Sequence, residues 1–475
     1  MEKTRALSIL KASLAAVGPA RAIREQVGLR QDLLTIKGPG DRNTVNLDLR
    51  QYQGLFVFGA GKAAAAMAAA CEKILGGRIR GGLVVTKYGH GRTLKTIRVV
   101  EAGHPVPDRA GQRGAREMVS GLQQAQKEDL IIFLTSGGCS ALLPAPVPSV
   151  SLKDKQKLTG LLLRSGATIQ EINTVRKHVS LSKGGRLARA AFPARVVNLI
   201  VSDVVGDDLD IIGSGPFVPD PSTYRDSLQV LEKYRLIPAT PAAIVAWLKK
   251  GSVGAVEETP KPGDPLFKRV TNLILINNRA ALTAAAVRAE AWGFQTLLLT
   301  SGITGEARTL AQFYGALARE VRQSGHPAKP PVCLLAGGEP TVTLKGRGLG
   351  GRNTELALAV AREIGGLPGA LFLSAGTDGT DGPTDAAGAL VDGRTWARAM
   401  KKGLVPEKYL EENDSYHFFR EAGGLVITGP TGQLQITKTK IKNPPCPSTG
   451  GVVHPPPPPP VKGGGDRAGF LKSFL

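Results

Sequence analysis

LFVFGAG at residues 55–61, GLVVTK at 82–87, TIRVVEAG at 96–103, DLIIFLTSGG at 129–138 and RVVNLIVSDVVGD at 195–207 decide the fold. Each is a short apolar run closed by glycines or polar residues, and longer charged, helix-compatible stretches separate them. Runs of this length suit strands buried on both faces, and their alternation with helices predicts an α/β fold with a mostly parallel sheet. Ligands of such sheets bind at the carboxyl ends of the strands, so the residues that close each run are the first candidates for chemistry.

A turn-rich connection, GSVGAVEETPKPGDP at 251–265, precedes a second series: TNLILINN (271–278), QTLLLTSGITGE (295–306), PVCLLAGGEPTVTL (331–344) and ALFLSAGTDGTDG (370–382). The expected organisation is therefore one α/β domain over 1–240, a second over 266–432, and a tail over 433–475. The tail carries NPPCPSTGG and six consecutive prolines at 455–460, with few large apolar side chains. Its composition predicts disorder and little burial.

Composition narrows the function classes. The 475 residues are 42% hydrophobic and 21% charged, with 59 glycines and 33 prolines, which is globular and rich in turns. The longest stretch without charge, 130–152, is broken by Pro144, Pro146 and Pro148 and makes a poor bilayer helix. Leu7, Leu10, Leu14 and Val17 recur at helical spacing, so the N-terminus reads as a packed amphipathic helix and the chain as cytoplasmic, with no membrane partner. Cys71, Cys139, Cys333 and Cys446 form no CxxC pair, which argues against a disulfide framework or zinc site. The net charge of +22 is spread along the chain without a nucleic-acid-binding motif, so the expected partners are small anions rather than nucleic acid.

Five places could carry chemistry. FVFGAGKAAAA turns through Gly59 and Gly61 into a helix at Lys62, where small residues let backbone N–H groups approach a phosphate; the G-x-G-x-x-[GA] spacing also admits a dinucleotide, or glycines needed only for tight packing. Ser136, Gly137, Gly138 and Ser140 of LTSGGCSALLPAP could nest an anion, with Cys139 among them read as structural. Asn173, Arg176, Ser180 and Lys183 fall at i, i+3, i+7 and i+10 on one helical face, presenting two cations, although a solvated stripe looks the same. Asp203 closes its strand, with Asp207 and Asp208 following, as Mg²⁺ ligands or turn acids. In the second half, Glu339 follows a strand, Arg352 opens a helix after a glycine-rich loop suited to closing on a phosphoryl group, and Asp378, Asp381 and Asp385 cluster after another strand. His104 is read as part of a proline-rigid turn.

Taken in order, GAGKA, EAGHPVPD, TSGGCSALLPAP, INTVRKHVS, SDVVGDD, GSGP, GGEPTV, GGRNTE, GTDGTDGPTDAAGA, NDSYHFF and TGPTG resemble the class II glycerate kinases, the family with a C-terminal MOFRL domain, over residues 1 to about 432. The resemblance implies a two-domain enzyme with a Rossmann-like N-terminal domain, a second α/β (MOFRL) domain and an active site between them. It implies ATP- and Mg²⁺-dependent phosphorylation of D-glycerate at the 2-hydroxyl. It carries catalytic roles to Lys62, Glu339, Arg352 and Asp378, the last also as metal ligand; the candidate substrate- or nucleotide-binding residues are Gly59, Gly61, Ser136, Gly137, Gly138, Ser140, Asn173, Arg176, Asp203 and Asn413. Partners are then the small-molecule substrate and a nucleotide, and a homodimer is left open. The family also contains proteins labelled hydroxypyruvate reductases, so an NAD(P)H-dependent reductase is the alternative. The family continues GPTGTNV into a final strand, whereas here Gln433 and Leu434 follow Gly432 and the expected Asn is a leucine. A change of reading frame fits that break and would leave an inactive homologue as a third reading.

Overall fold

The computed structural model describes residues 2–38, 43–429, 431 and, for the backbone alone, 437–442. A small antiparallel sheet holds β1 (Val27–Arg30), β2 (Leu33–Ile36) and β3 (Val45–Asp48). The first large sheet holds β4 (Gly54–Ala60), β5 (Ile79–Lys87), β6 (Arg98–Ala102), β7 (Asp129–Thr135), β8 (Arg195–Val201) and β9 (Val270–Ile276). Their order is β6-β5-β4-β7-β8-β9, and every pairing is parallel. The α/β expectation with a parallel sheet holds.

The apolar runs explain why. Successive strand residues point to opposite faces. Leu130, Ile132 and Leu134 of β7 join one core with Val57 and the alanine-rich helix Ala64–Leu75, while Ile131 and Phe133 join another with Met118, Leu122 and Phe217. Both faces are covered, so no polar alternation is needed.

The second large sheet holds β10 (Gln295–Ile303), β11 (Val332–Gly338), β12 (Leu371–Gly376), β13 (Gly388–Asp392), β14 (Leu425–Val426) and β15 (Thr437–Lys442), in the order β10-β11-β15-β12-β13-β14. Only β10 and β11 are parallel to each other as neighbours; β15 runs antiparallel to both β11 and β12, between them.

Three stretches lie elsewhere than the sequence suggests. TNLILINN does not open the second series: its strand, β9, pairs with β8, and Leu273, Leu275 and Ile276 pack with Val197, Leu199 and Val201. The helix Glu2–Ala16, expected with the N-terminal half, buries Ala6, Leu10 and Leu14 against Leu371, Leu373 and Leu390 of the second sheet, whose apolar face would otherwise be open. Of the tail expected to carry little structure, residues 437–442 form the central strand β15; residues 433–436 and 443–475, with the mismatched Leu434, lie outside the described residues. Among the described residues no single helix is long and apolar enough to cross a membrane.

Candidate active site

The strand ends converge. Lys62 follows β4, His104 follows β6, Ser136 follows β7 and Asp203 follows β8 in the first sheet; Glu339 follows β11 and Asp378 follows β12 in the second. Lys62 Nζ lies 3.7 Å from Asp378 Oδ2, with both side chains largely buried. Arg352 Nη1 donates to Glu339 Oε1 at 2.8 Å, while its Nε and Nη2 are buried without a hydrogen-bond partner. Burial, reinforced by the Glu339 carboxylate, pushes the Asp203 carboxyl up to about 6 against the opposing pull of Lys62 and Arg352. Two cations and three carboxylates thus form one electrostatic cluster, in which Arg352 still offers two N–H groups.

Arg352 is held in place by its helix, Arg352–Glu363. The fully buried Asp381 carboxylate accepts from the Asn353 and Thr354 backbone N–H groups at 2.9 and 2.8 Å, and from Asn353 Nδ2 and Thr354 Oγ1. It acts as an external cap on the first turn. Gly351 permits this, since a Cβ there would meet Asp381 at 2.5 Å. The acid cluster expected after β12 therefore separates by role: Asp378 faces Lys62, Asp381 caps the helix, and Asp385 accepts from the Tyr416 hydroxyl at 2.8 Å. Asp207 and Asp208 likewise bond locally, to Asn277 Nδ2 and the Asp210 N–H.

Three binding assignments change. Gly59 and Gly61 provide room rather than a phosphate cradle: a Cβ would meet Leu134 at 2.7 Å or Ser136 Oγ at 2.1 Å, and Gly61 has φ +136°, a glycine conformation. The following N–H groups are spent inside the protein, Gly61 on Val85 O, Lys62 on Gly137 O, Ala63 on Ser136 Oγ and Ala64 on Gly61 O. Ser136 and Gly137 therefore fix the Lys62 backbone. Asn413 is 3% exposed; its Oδ1 accepts from the Lys345 and Gly346 N–H groups and its Nδ2 donates to Glu355, so it pins the glycine-rich loop and has little left for a ligand.

Ser140, Asn173 and Arg176 do come together. Ser140 Oγ accepts from Arg176 Nη2 at 2.5 Å and Lys183 Nζ at 2.7 Å and lies 3.0 Å from Ser214 Oγ, which donates to Asn173 Oδ1. The shared helical face is not the reason, because the helix Ile169–His178 ends before Ser180 and Lys183. Lys183 arrives from the loop beyond. Gly138, with φ +84°, approaches His104 so closely that a Cβ would lie 2.8 Å from its Nε2. Burial, then the charges of Lys62 and Lys87, hold that imidazole down at about 4, so it is neutral in the cleft. The Cys139 thiol is pushed up to about 11 by burial, no nucleophile at neutral pH.

Sequence reasoning passed over His104 and Lys155, and set Lys183 on a helix it does not join. For His104 the only signal was its place just after an apolar run. Among the described residues no group of three His, Cys, Asp or Glu side chains is placed to hold a metal.

Comparisons with known proteins find related chains. A domain of unknown function, DUF4147, matches residues 5–249, and the MOFRL family matches residues 332–434. A glycerate 2-kinase of Pyrococcus horikoshii is 42% identical over 90% of this chain and 94% of its own. A D-glycerate 2-kinase of Thermotoga maritima is 42% identical over 90% of this chain and 95% of its own. The crystal structure of a Thermotoga maritima glycerate kinase superposes with a TM-score of 0.79 at 40% identity, covering 93% of this chain and 99% of that one.

Proposed function

The chain belongs to the glycerate kinase family, and on that premise we propose that it transfers the γ-phosphoryl group of ATP to the 2-hydroxyl of D-glycerate. The observation that carries the reading is the convergence of Lys62 and Arg352 with Asp203, Glu339 and Asp378 at the facing strand ends of two sheets. Phosphoryl transfer needs positioned charge more than covalent chemistry, and that is what these groups offer.

Asp203 is the general base in this reading. A carboxylate near 6 is ionised at neutral pH yet basic enough to accept a proton as the hydroxyl oxygen attacks phosphorus. As that O–P bond forms, the bond from phosphorus to the bridging oxygen of ADP breaks, and the electron pair leaves with ADP. The two unpartnered N–H groups of Arg352 face the charge that develops on the transferring group, and Lys62 offers a mobile point charge to the same phosphates. Glu339 orients Arg352 through its ion pair.

Mg²⁺ fits the donor set. It favours hard oxygen ligands and commonly takes one or two carboxylates alongside phosphate oxygens and waters. Asp378 supplies such a carboxylate, with Oδ2 beyond hydrogen-bonding distance of Lys62. Bound there with the nucleotide, the ion would neutralise phosphate charge.

The first sheet's order, with the chain's successive strands arranged three-two-one-four-five-six, is that of doubly wound nucleotide-binding sheets and supports a Rossmann-like N-terminal half. The reductase alternative is less favoured, because the N–H groups of Gly61 to Ala64 that would receive a dinucleotide pyrophosphate are bonded within the protein. The deciding assay supplies ATP, Mg²⁺ and D-glycerate, follows ADP release, and identifies 2-phosphoglycerate by phosphorus NMR. Oxidation of NADH by hydroxypyruvate without ADP production would reverse the reading.

A further inference from the structure

Behind Ser140 lies a group of cations that the phosphoryl-transfer scheme does not use. Lys155, on the helix Leu152–Arg164, is 4% exposed and Lys183 is 1% exposed. Lys155 Nζ is buried with no hydrogen-bond partner, and Arg176 Nε is in the same position. Lys183 Nζ donates to both the backbone oxygen and the hydroxyl of Ser140, at 2.8 and 2.7 Å, and Arg176 Nη2 donates to that same hydroxyl. Burial, then the charges of Arg176 and Lys155, disfavours the charged form of Lys183, and burial, then Arg176, disfavours that of Lys155. No ion pair joins any of them to a carboxylate among the described residues, whereas the neighbouring Lys177 is paired with Asp210 and Asp220.

Removing charge from water is costly unless it is paired. Three basic side chains buried together without a paired carboxylate among the described residues leave a place for an anion, which would favour their charged forms. We propose that Lys155, Arg176 and Lys183, opening at the partly exposed Ser140, bind the carboxylate of the acceptor substrate.

Position favours the acceptor over the nucleotide. Ser140 follows the carboxyl end of β7 and Asp203 follows that of β8, its parallel neighbour, which sets the cation group and the base at adjacent strand ends. In glycerate the carboxylate is bonded to the carbon that carries the 2-hydroxyl, so a base on that hydroxyl and a cation site on the carboxylate must be neighbours. Lys62 and Arg352 instead cluster with Asp378 and Glu339, on the phosphate side. This inference rests on the reading of the chain as a glycerate kinase.

The test compares wild type with Lys155→Met and Arg176→Gln, and reads binding separately from turnover. D-glycerate is expected to raise the wild-type Tm where glycerol, which lacks the carboxylate, does not, and each variant should lose that shift. KM for D-glycerate should rise tenfold or more in each variant, KM for ATP should stay within about twofold, and the preference for D-glycerate over glycerol should collapse. Lys155→Met should melt at or above the wild-type temperature, which separates lost binding from lost folding; if it fails to fold, Arg176→Gln decides alone. An unchanged KM for D-glycerate, or a KM for ATP that rises as much, would overturn the proposal. A wild type that is stabilised by D-glycerate, through these residues, but transfers no phosphate would keep the carboxylate site and sink the kinase reading.

Discussion

Lys62 Nζ and Asp378 Oδ2, 316 residues apart in sequence, face each other across 3.7 Å and join the loop after β4 to the loop after β12. The charge cluster draws on both sheets, so in the proposed mechanism a change in either sheet would reach the same phosphate.

Asp203→Asn should lower kcat about 10²- to 10⁴-fold, the range a general base contributes. In wild type, kcat/KM should fall as the pH drops below about 6, because the base is then protonated; the variant should lose that limb. Stability should move the other way. The folded carboxyl lies above its unfolded value of 3.8, so its ionisation opposes folding increasingly as the pH rises from about 4 to 6. The variant should be the more stable protein at neutral pH, as thermal melts would show.

Arg352→Lys keeps one charge but loses the planar fork, of which one N–H holds Glu339 and two groups lack partners. A fall in kcat of about 10²-fold or more with an unchanged circular dichroism spectrum is expected. Undiminished turnover in the folded variant would remove Arg352 from the transition state.

Asp381→Ala should cost roughly 2–4 kcal/mol by leaving buried donors of Asn353 and Thr354 without their acceptor. Because the same turn carries Arg352, kcat should fall more than KM changes. A denaturant titration alongside steady-state kinetics distinguishes this from a purely structural loss, in which the surviving folded fraction would keep wild-type kcat.

Lys155 is held at about 7, chiefly by burial and then by Arg176, against 10.5 when free. The unfolded chain therefore binds more protons between about pH 7 and 10.5, and this residue makes the protein more stable as the pH rises through that window. Lys155→Met should remove that slope and add stability on the order of a few kcal/mol near pH 7. Chemical denaturation at pH 7 and pH 9.5 checks it.

The family resemblance and the leucine at 434 give a sequence-based prediction. Replacing Gln433, Leu434 and Gln435 by Thr, Asn and Val should raise kcat; equal rates would show that the Asn is dispensable in this chain.

How far the sequence could be read varied with the physics of each part. The strands β4, β7 and β8 were legible because burial on both faces demands unbroken apolar runs. TNLILINN was equally legible as a strand but not as a member of the first sheet, since an apolar run does not say which edge it completes. Lys62, Glu339, Arg352 and Asp378 lie where strands and helices meet, so sequence could nominate them as candidates, and the structure brings them together. Lys155 could not be found this way: on an amphipathic helix a lysine reads as solvated, and only its burial in the fold, within reach of the charges of Arg176 and Lys183, reveals that it is not. Asn413 shows the reverse case, a motif residue nominated for binding whose side-chain polar groups bond within the protein.

β15 has a consequence for synthesis. It lies between β11 and β12, and Thr437 is opposite both Gly338 and Gly376, the residues that lead into Glu339 and Asp378. Those two strands do not pair with each other; β15, the last strand among the described residues, must wedge between them. A nascent chain can therefore complete its first sheet and fold around β4 to β9 while the carboxylates of the second half remain apart. Catalytic competence should arrive abruptly, when translation has passed residue 442, and nascent chains stalled short of it should accumulate as half-built, inert and protease-sensitive molecules.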